Sequence, residues 1–234
     1  MLVGIHQSHY LPWLRYVEKI ARCDVFIVLD TAQFVKGDWH NRNKIKTAAG
    51  TQVLTVPVEQ HLGQTLFETR IDNRQRWQEK HWRAIEQNYA AAPYFGHYHQ
   101  VLENFYHQPY EKLHALNRDM LKVWLAWLGI ATRVQFASAL PPTAGSPSEK
   151  LVQLCQAVGG DGYYCGRYAA EQYLDRSAFE KSGVRIQIQD WNSPPYAQRY
   201  LKAAGMLPDL AILDLLMNEG PRSVGILRAG AAAT

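Results

Sequence analysis

Short apolar runs alternate along the chain with segments whose apolar residues recur at helical spacing. The runs have the length and the β-branched or aromatic content of buried strands. They predict strands at residues 2–5, 24–30, 52–58, 132–138, 163–165 and 184–189. Strands separated by helices predict an α/β protein with a doubly wound, mostly parallel, Rossmann-like sheet and helices on both faces. The last run alternates apolar and polar residues, so we expect it at an edge of the sheet.

Helical periodicity is clearest at residues 12–22, 74–128, 146–158 and 209–217. The second of these segments is long, and Pro93 is expected to end or restart its first helix. We predict a single domain over residues 1–234 with a helical insertion at about 74–128. Residues 228–234 are expected to form a frayed tail.

Composition narrows the class of protein. Hydrophobic residues make up 47% of the 234 residues, which is enough for one large folded domain. The net charge of +4 suits anionic small molecules and is too small to indicate nucleic-acid binding. The three cysteines form no C-x-x-C pair, and no stretch has the ~18 apolar residues of a membrane span. We therefore expect a cytoplasmic protein with no membrane partner.

Two histidines in the spacing His-x-x-His follow the first predicted strand. His6 and His9 lie between that strand and the helix predicted from Pro12. A strand that leads into a helix N-terminus is a common anion site, because free N–H groups and the helix dipole point there. The two imidazoles are candidates for binding phosphate or stabilising a transition state. The alternative is that one histidine caps the helix and the other packs in the core.

The same turn is similar to the His-x-Gly-His signature of nucleotidylyl transferases. Ser8 stands where that signature has glycine, which leaves less room for a nucleotide base. The likeness nevertheless predicts a nucleotidylyl-transferase-like fold and a nucleotide at this turn.

Further polar residues are expected at the same edge of the sheet. Asp30 and Gln33 follow the second strand, although Asp30 is equally well explained as the cap of a turn. Residues 36–46 form a predicted polar loop with four cations: Lys36, Arg42, Lys44 and Lys46. The loop is interpreted as a polyphosphate clamp, and the alternative is a merely solvated loop.

Cys165 and Gly166 occupy another predicted strand-to-helix junction. A thiol exposed there would have its pKa lowered by the helix N-terminus, and the favoured alternative is an inert, half-buried thiol. The histidines at 97, 99, 107 and 114 show no metal-ligand spacing, so no metal site is predicted.

An ordered set of motifs resembles the WbqC-like family over nearly the whole chain. The motifs are residues 5–13, 24–33, 41–45, 54–58, 164–166 with 173–175, and 213–220. There are two departures from the family, which usually has proline at Ser8, often with asparagine at His9, and which commonly has serine at Cys165. The resemblance implies a bacterial protein of surface-polysaccharide or specialised-metabolite gene sets, with transfer of an amino-acid or acyl group onto an amine.

The leading hypothesis is an ATP- and Mg²⁺-dependent transferase or ligase that activates a carboxylate as an acyl-adenylate for capture by an amine. His6, His9 and Lys44 are the candidate catalytic residues. The candidate substrate-binding residues are Gln7, Tyr10, Trp13, Asp30, Gln33, Arg42, Asn43, Lys46, Tyr164, Cys165 and Gly166. A second hypothesis is ATP-independent transfer from a carrier, such as aminoacyl-tRNA or a thioester, with a histidine base and Cys165 as nucleophile. A third is a non-catalytic scaffold that binds a nucleotide-sugar.

Overall fold

The computed structural model describes residues 1–230. Its strands are β1 (Leu2–His6), β2 (Val25–Val28), β3 (Arg42–Thr47), β4 (Gly50–Thr55), β5 (Arg133–Phe136), β6 (Gly162–Gly166) and β7 (Arg185–Gln189). Its α-helices are α1 (Leu14–Arg22), α2 (Trp77–Tyr89), α3 (Phe95–His107), α4 (Leu113–Trp127), α5 (Pro147–Ala157), α6 (Arg167–Gln172), α7 (Arg176–Ser182), α8 (Leu201–Ala204), α9 (Ile212–Glu219) and α10 (Ser223–Ala229).

Five of the strands form a parallel sheet in the order β5-β2-β1-β6-β7. The chain moves outward from β1 through β2 to β5, then crosses to the other side of β1 for β6 and β7. The strand order therefore reverses between β1 and β6. All five carboxyl ends lie at one edge, as parallel pairing requires. The α/β class and the edge position of β7 are confirmed.

Apolar contacts cover both faces of the sheet because side chains alternate along each strand. On β2, Phe26 and Val28 belong to the core that contains α1 and α4. Val25 and Ile27 belong to a second core, which contains α5 and α7. Helices therefore pack on both faces, and the face covered by α1 is the one toward which His6 points.

The predicted loop at 36–46 and the predicted sheet strand at 52–58 are both wrong in part. Residues 42–47 are β3, which pairs with β4 in an antiparallel hairpin separate from the main sheet. The hairpin closes directly from Thr47 to Gly50, whose φ of +115° suits glycine. β3 was not recognised as a strand because two of its buried residues, Asn43 and Lys46, are polar.

The helical segment holds α2, α3 and α4, and Pro93 lies between the first two. α1 begins two residues later than predicted, with Trp13 as its N-cap. Of the two capping serines considered, Ser146 is the cap of α5 and forms a capping box with Glu149. α10 continues to Ala229, and the rest of the predicted tail, residues 231–234, lies outside the described residues.

Candidate active site at the histidine turn

The segment from Gln7 to Trp13, here called the histidine turn, is held in a strained conformation. Leu11 has a φ of +44°, in the left-handed region that side chains other than glycine rarely adopt. Two contacts fix it: Asn43 Nδ2 donates to the Leu11 carbonyl oxygen at 2.6 Å, and Tyr10 N donates to the His40 carbonyl oxygen at 3.1 Å. Strain of this kind persists only where the surroundings over-determine it, and it is concentrated at functional sites.

Ser8 anchors the turn to α4. The buried Ser8 hydroxyl accepts a hydrogen bond from Asn117 Nδ2 at 3.1 Å. The same amide donates to the His40 carbonyl oxygen at 3.0 Å. The serine that replaces the glycine of the nucleotidylyl-transferase signature thus has a structural partner, and Asn117 links the histidine turn to the segment before β3.

Three imidazoles cluster at the carboxyl end of β1. The His6 and His9 rings lie 4.8 Å apart between centroids, and His40 lies 6.0 Å from His9. His9 stacks on Tyr16 of α1 at 4.9 Å, and His6 meets the edge of the same tyrosine at 5.1 Å. The structure therefore places the two predicted histidines together and adds His40, which the sequence analysis did not single out.

The three imidazoles are uncharged at neutral pH. Burial lowers the pKa of His6 to about 3, with a further contribution from the Lys19 ammonium. Burial also lowers the pKa of His9 well below its ordinary value, and His6 and His40 act in the same direction. The pKa of His40 is lowered by burial, which Asp38 partly offsets. A buried neutral imidazole can donate a hydrogen bond from one ring nitrogen and accept one at the other, so these rings suit the binding of a polar group.

The Nδ1 atom of His9 is buried and has no hydrogen-bond partner among residues 1–230. Arg42 Nε is also buried and also lacks a hydrogen-bond partner among these residues. Buried polar atoms are nearly always paired, and an orphaned one calls for a specific explanation such as an absent ligand.

Two cations and two tryptophans form a rim beside the histidines. Alternation along β3 puts Arg42 and Lys44 on one face, and both lie over the Trp39 ring, at 5.9 and 5.7 Å from its centre. Trp39 contacts Trp13 at 5.4 Å, and Trp13 contacts His9 at 5.2 Å. Gln7, partly buried, lies within the turn itself. Of the predicted residues, the structure thus brings together His6, Gln7, His9, Trp13, Arg42 and Lys44.

Lys46 does not face this rim. Although Lys46 is on the same face of β3 as Arg42 and Lys44, its buried ammonium donates to Gln198 Oε1 at 2.8 Å and to the Gly205 carbonyl oxygen. Its backbone N–H donates to the Tyr89 hydroxyl, which in turn donates to Asp214 at 2.7 Å. Because these internal partners occupy it, Lys46 is not available to the predicted phosphate clamp. Lys36 is solvent-exposed.

Tyr10 and Asn43 also point into the protein. The buried Tyr10 hydroxyl lies 2.8 Å from both His81 Nδ1 and the Tyr106 hydroxyl. Asn43 is buried and holds the histidine turn through the Leu11 carbonyl. Both residues position the site without lining it.

Asp30 does not cap the turn that follows its own strand, which was the alternative considered for it, but bonds to a residue beyond β5. Its fully buried carboxylate accepts from Ser138 N at 2.9 Å and from the Ser138 hydroxyl at 2.6 Å. Ser138 follows β5, so Asp30 secures the end of the neighbouring strand. Gln33 is exposed and lines a separate cleft of about 600 Å³ between the ends of β2 and β5 and the start of α5.

The structure does not place an exposed, low-pKa thiol at position 165; the side chain is buried, in line with the favoured alternative of an inert thiol but more completely than half. Cys165 does stand at a strand-to-helix junction, with Gly166 as the N-cap of α6, but its side chain is buried in the core beside Phe179. Burial raises the pKa of Cys165 to about 11. Tyr164 faces the opposite side of the sheet, where its buried hydroxyl donates to Glu18 at 3.3 Å.

The residues missed by sequence reasoning are His40, Tyr16, Lys19 and Asn117. Lys19 carried no signal, because its spacing from Arg15 and Arg22 places it on the polar stripe of α1. His40 and Asn117 carry no local signal, since tertiary contacts alone bring them to the turn.

Within residues 1–230, no group of three or more His, Cys, Asp or Glu side chains is arranged to hold a metal ion. Over the same residues, no helix combines the length and the apolar character needed to cross a membrane.

These observations define an α/β protein with a parallel sheet and a histidine-lined turn after its first strand. The chain belongs to the WbqC-like protein family, whose model matches residues 7–226. It is 37% identical over 230 residues to an uncharacterised protein of Mycobacterium tuberculosis, Rv1507c, with 97% of each chain covered. No solved structure matches significantly.

Proposed function

We propose that this protein is an ATP-dependent transferase or ligase. It activates a carboxylate and passes the resulting acyl or aminoacyl group to an amine, in the cytoplasm, in surface-glycan or specialised-metabolite biosynthesis. In this proposal the sheet is Rossmann-like, and the nucleotide binds at the carboxyl end of β1, beside the reversal in strand order.

One arrangement carries the proposal: uncharged, partly orphaned imidazoles stand next to a pair of cations on an aromatic support. The buried Nδ1 of His9 and the buried Nε of Arg42 both lack partners among the described residues. Both atoms suit the oxygens of a phosphate chain, which can satisfy several donors at once.

Each group has a distinct part in the proposed reaction. His6 and His9 contact the reacting phosphate and stabilise the charge that develops there. Arg42 and Lys44 hold the leaving pyrophosphate, while Trp13 and Gln7 orient the acceptor. Mg²⁺ is carried mainly by the phosphate oxygens and water, as is usual for this ion. Lys46 has no part in the clamp.

The carrier-dependent alternative loses its nucleophile, because a thiol buried beneath the sheet with a raised pKa cannot attack a thioester or an ester. Two alternatives remain if the test below fails. One is transfer from a carrier with only a histidine as base, and the other is a non-catalytic scaffold.

The test is calorimetric titration of ATP with Mg²⁺ into the wild type, His9→Ala and the control His97→Ala, which changes an exposed histidine of α3. We expect at least tenfold weaker binding in His9→Ala, equivalent to ~1.4 kcal/mol, and no change in the control. Absence of binding to the wild type at millimolar ATP, or equal binding in His9→Ala, would contradict the proposal.

A further inference from the structure

A buried lysine of α1 has no polar partner. The residue Lys19 is 6% exposed, and its ammonium, which keeps some contact with solvent, forms no hydrogen bond and no ion pair with residues 1–230. Burial lowers its pKa. Lysine is almost never buried unless it is paired, because removing the charge from water is costly.

The path of the Lys19 side chain leads to His6. Its Cγ lies 3.5 Å from the position that a Cβ on Gly4 would occupy, so the side chain crosses β1 where that strand has no side chain. Helical side chains lean toward the helix N-terminus, and that end of α1 lies at the carboxyl edge of the sheet. His6 is two residues further along β1 on the same face, and the Lys19 charge is felt at both His6 and His9.

Glu18, whose charge acts on Lys19, forms no ion pair with it. Glu18 is itself buried and accepts hydrogen bonds from the Tyr164 hydroxyl and from Gln189 Nε2. Burial raises the pKa of Glu18. Arg15, on the same helix, lies over the Trp191 ring at 5.4 Å.

Lys46, the other buried lysine discussed above, has a structural role and can be compared with Lys19. Lys46 is completely buried, but its ammonium has two hydrogen-bond acceptors. The charge of Asp214 raises the pKa of Lys46 against the effect of burial. Lys19 has no such acceptors, so its ammonium is free to bind a group from outside the chain.

We propose that Lys19 and His6 form an oxyanion-binding site, which takes the carboxylate or a phosphate group of the substrate. The site lies where the strand order reverses, between β1 and β6. The inference deepens the proposed function and rests on it for the identity of the substrate, but not for the binding of an anion.

The test measures the thermal unfolding of the full chain with inorganic phosphate or with acetate, at a constant ionic strength set with chloride. The variants are Lys19→Met, which keeps the length and apolar stem of the side chain, and the control Lys202→Met, on the exposed surface of α8. General salt effects act on all three proteins alike and cancel in the comparison.

At least one anion should raise the Tm of the wild type and of Lys202→Met, and this rise should be clearly smaller in Lys19→Met. Without anions, Lys19→Met should have a Tm about 2–4 °C above that of the wild type, because an unpaired buried charge has been removed. A rise with phosphate alone assigns the site to a phosphate group, and a rise with acetate alone assigns it to a carboxylate.

Equal rises in the wild type and Lys19→Met, or no rise in the wild type with either anion, would overturn the inference. Because no nucleotide is used, this result is separate from the ATP titration. Loss of ATP binding would contradict the proposed function and leave the anion site standing.

Discussion

Asn43 of β3 holds Leu11 of the histidine turn in its left-handed conformation. Its Nδ2 donates to the Leu11 carbonyl oxygen at 2.6 Å, and its Oδ1 accepts from the N–H of Lys44 at 2.8 Å. Side chains from both faces of β3 therefore contribute to the site. The inward-facing Asn43 fixes the backbone that carries His9, while the outward-facing Arg42 and Lys44 supply the cations of the rim.

Asn43→Ala should lower the free energy of unfolding by about 1–3 kcal/mol, because a buried carbonyl oxygen loses its partner. Urea denaturation measures the change. Asn104→Ala, at an exposed position of α3, is the matched control and should stay within about 0.5 kcal/mol of the wild type. Equal stability of the two variants would show that Asn43 does not hold the turn.

Lys46→Met should act on stability and not on nucleotide binding. The substitution leaves Gln198 Oε1 and the Gly205 carbonyl oxygen without their charged donor. We expect a loss of about 2–3 kcal/mol in urea denaturation. The folded variant should bind Mg²⁺-ATP as the wild type does. A tenfold loss of ATP affinity at unchanged stability would contradict this prediction and show that Lys46 binds the phosphates.

The three thiols should be unreactive in the native protein. Cys23, Cys155 and Cys165 are all buried, and burial raises the pKa of Cys155 to about 12 and that of Cys165 to about 11. Titration with a disulfide reagent at pH 7.5 should therefore modify them only after denaturation. Cys165→Ala should keep full nucleotide binding. Rapid labelling of Cys165 in the folded chain would revive the carrier-dependent mechanism.

Stability should fall as the pH drops below about 6.5. The pKa values of His6, His9 and His40 are lowered by folding, so the unfolded chain binds protons in this range that the folded chain does not. Each histidine contributes a slope of up to ~1.4 kcal/mol per pH unit. These contributions are fully present above pH ~6.5.

In His9→Gln the free energy of unfolding should depend less steeply on pH, by a slope that corresponds to at most one bound proton. Urea denaturation at pH 7.5, 6.0 and 5.0 gives the slope for both proteins, and contributions from the carboxylates cancel in the difference. An identical slope in the variant would mean that His9 titrates alike in the folded and unfolded chains.

Much of the main sheet could be predicted because its strands are apolar runs separated by helices. β3 could not, because two of its three buried residues are polar and are satisfied by distant partners. Asn43 depends on the carbonyl of Leu11, and Lys46 depends on Gln198, 152 residues away. Hydrogen bonds between residues so far apart cannot be predicted from a pattern of hydrophobic and polar positions.

The candidate site divides in the same way. His6 and His9 are local to one turn, and their spacing alone indicated a site. His40 joins them through the hydrogen bond from Tyr10 N to its carbonyl oxygen, which only the folded chain provides. The loop cations looked equivalent in sequence. Alternation along β3 puts Arg42, Lys44 and Lys46 on one face, where Arg42 and Lys44 lie over Trp39 and Lys46, further along the strand, bonds to Gln198 and Gly205.

The central claim, carboxylate activation with ATP at the histidine turn, is tested most directly by exchange of labelled pyrophosphate into ATP. The assay uses the wild-type protein with Mg²⁺ and a panel of amino acids and small carboxylic acids. Formation of an acyl-adenylate releases pyrophosphate reversibly, so we predict exchange that requires one of these acids and is lost in His9→Ala. Absence of exchange across the panel from a protein that binds ATP, or exchange that persists in His9→Ala, would contradict the account.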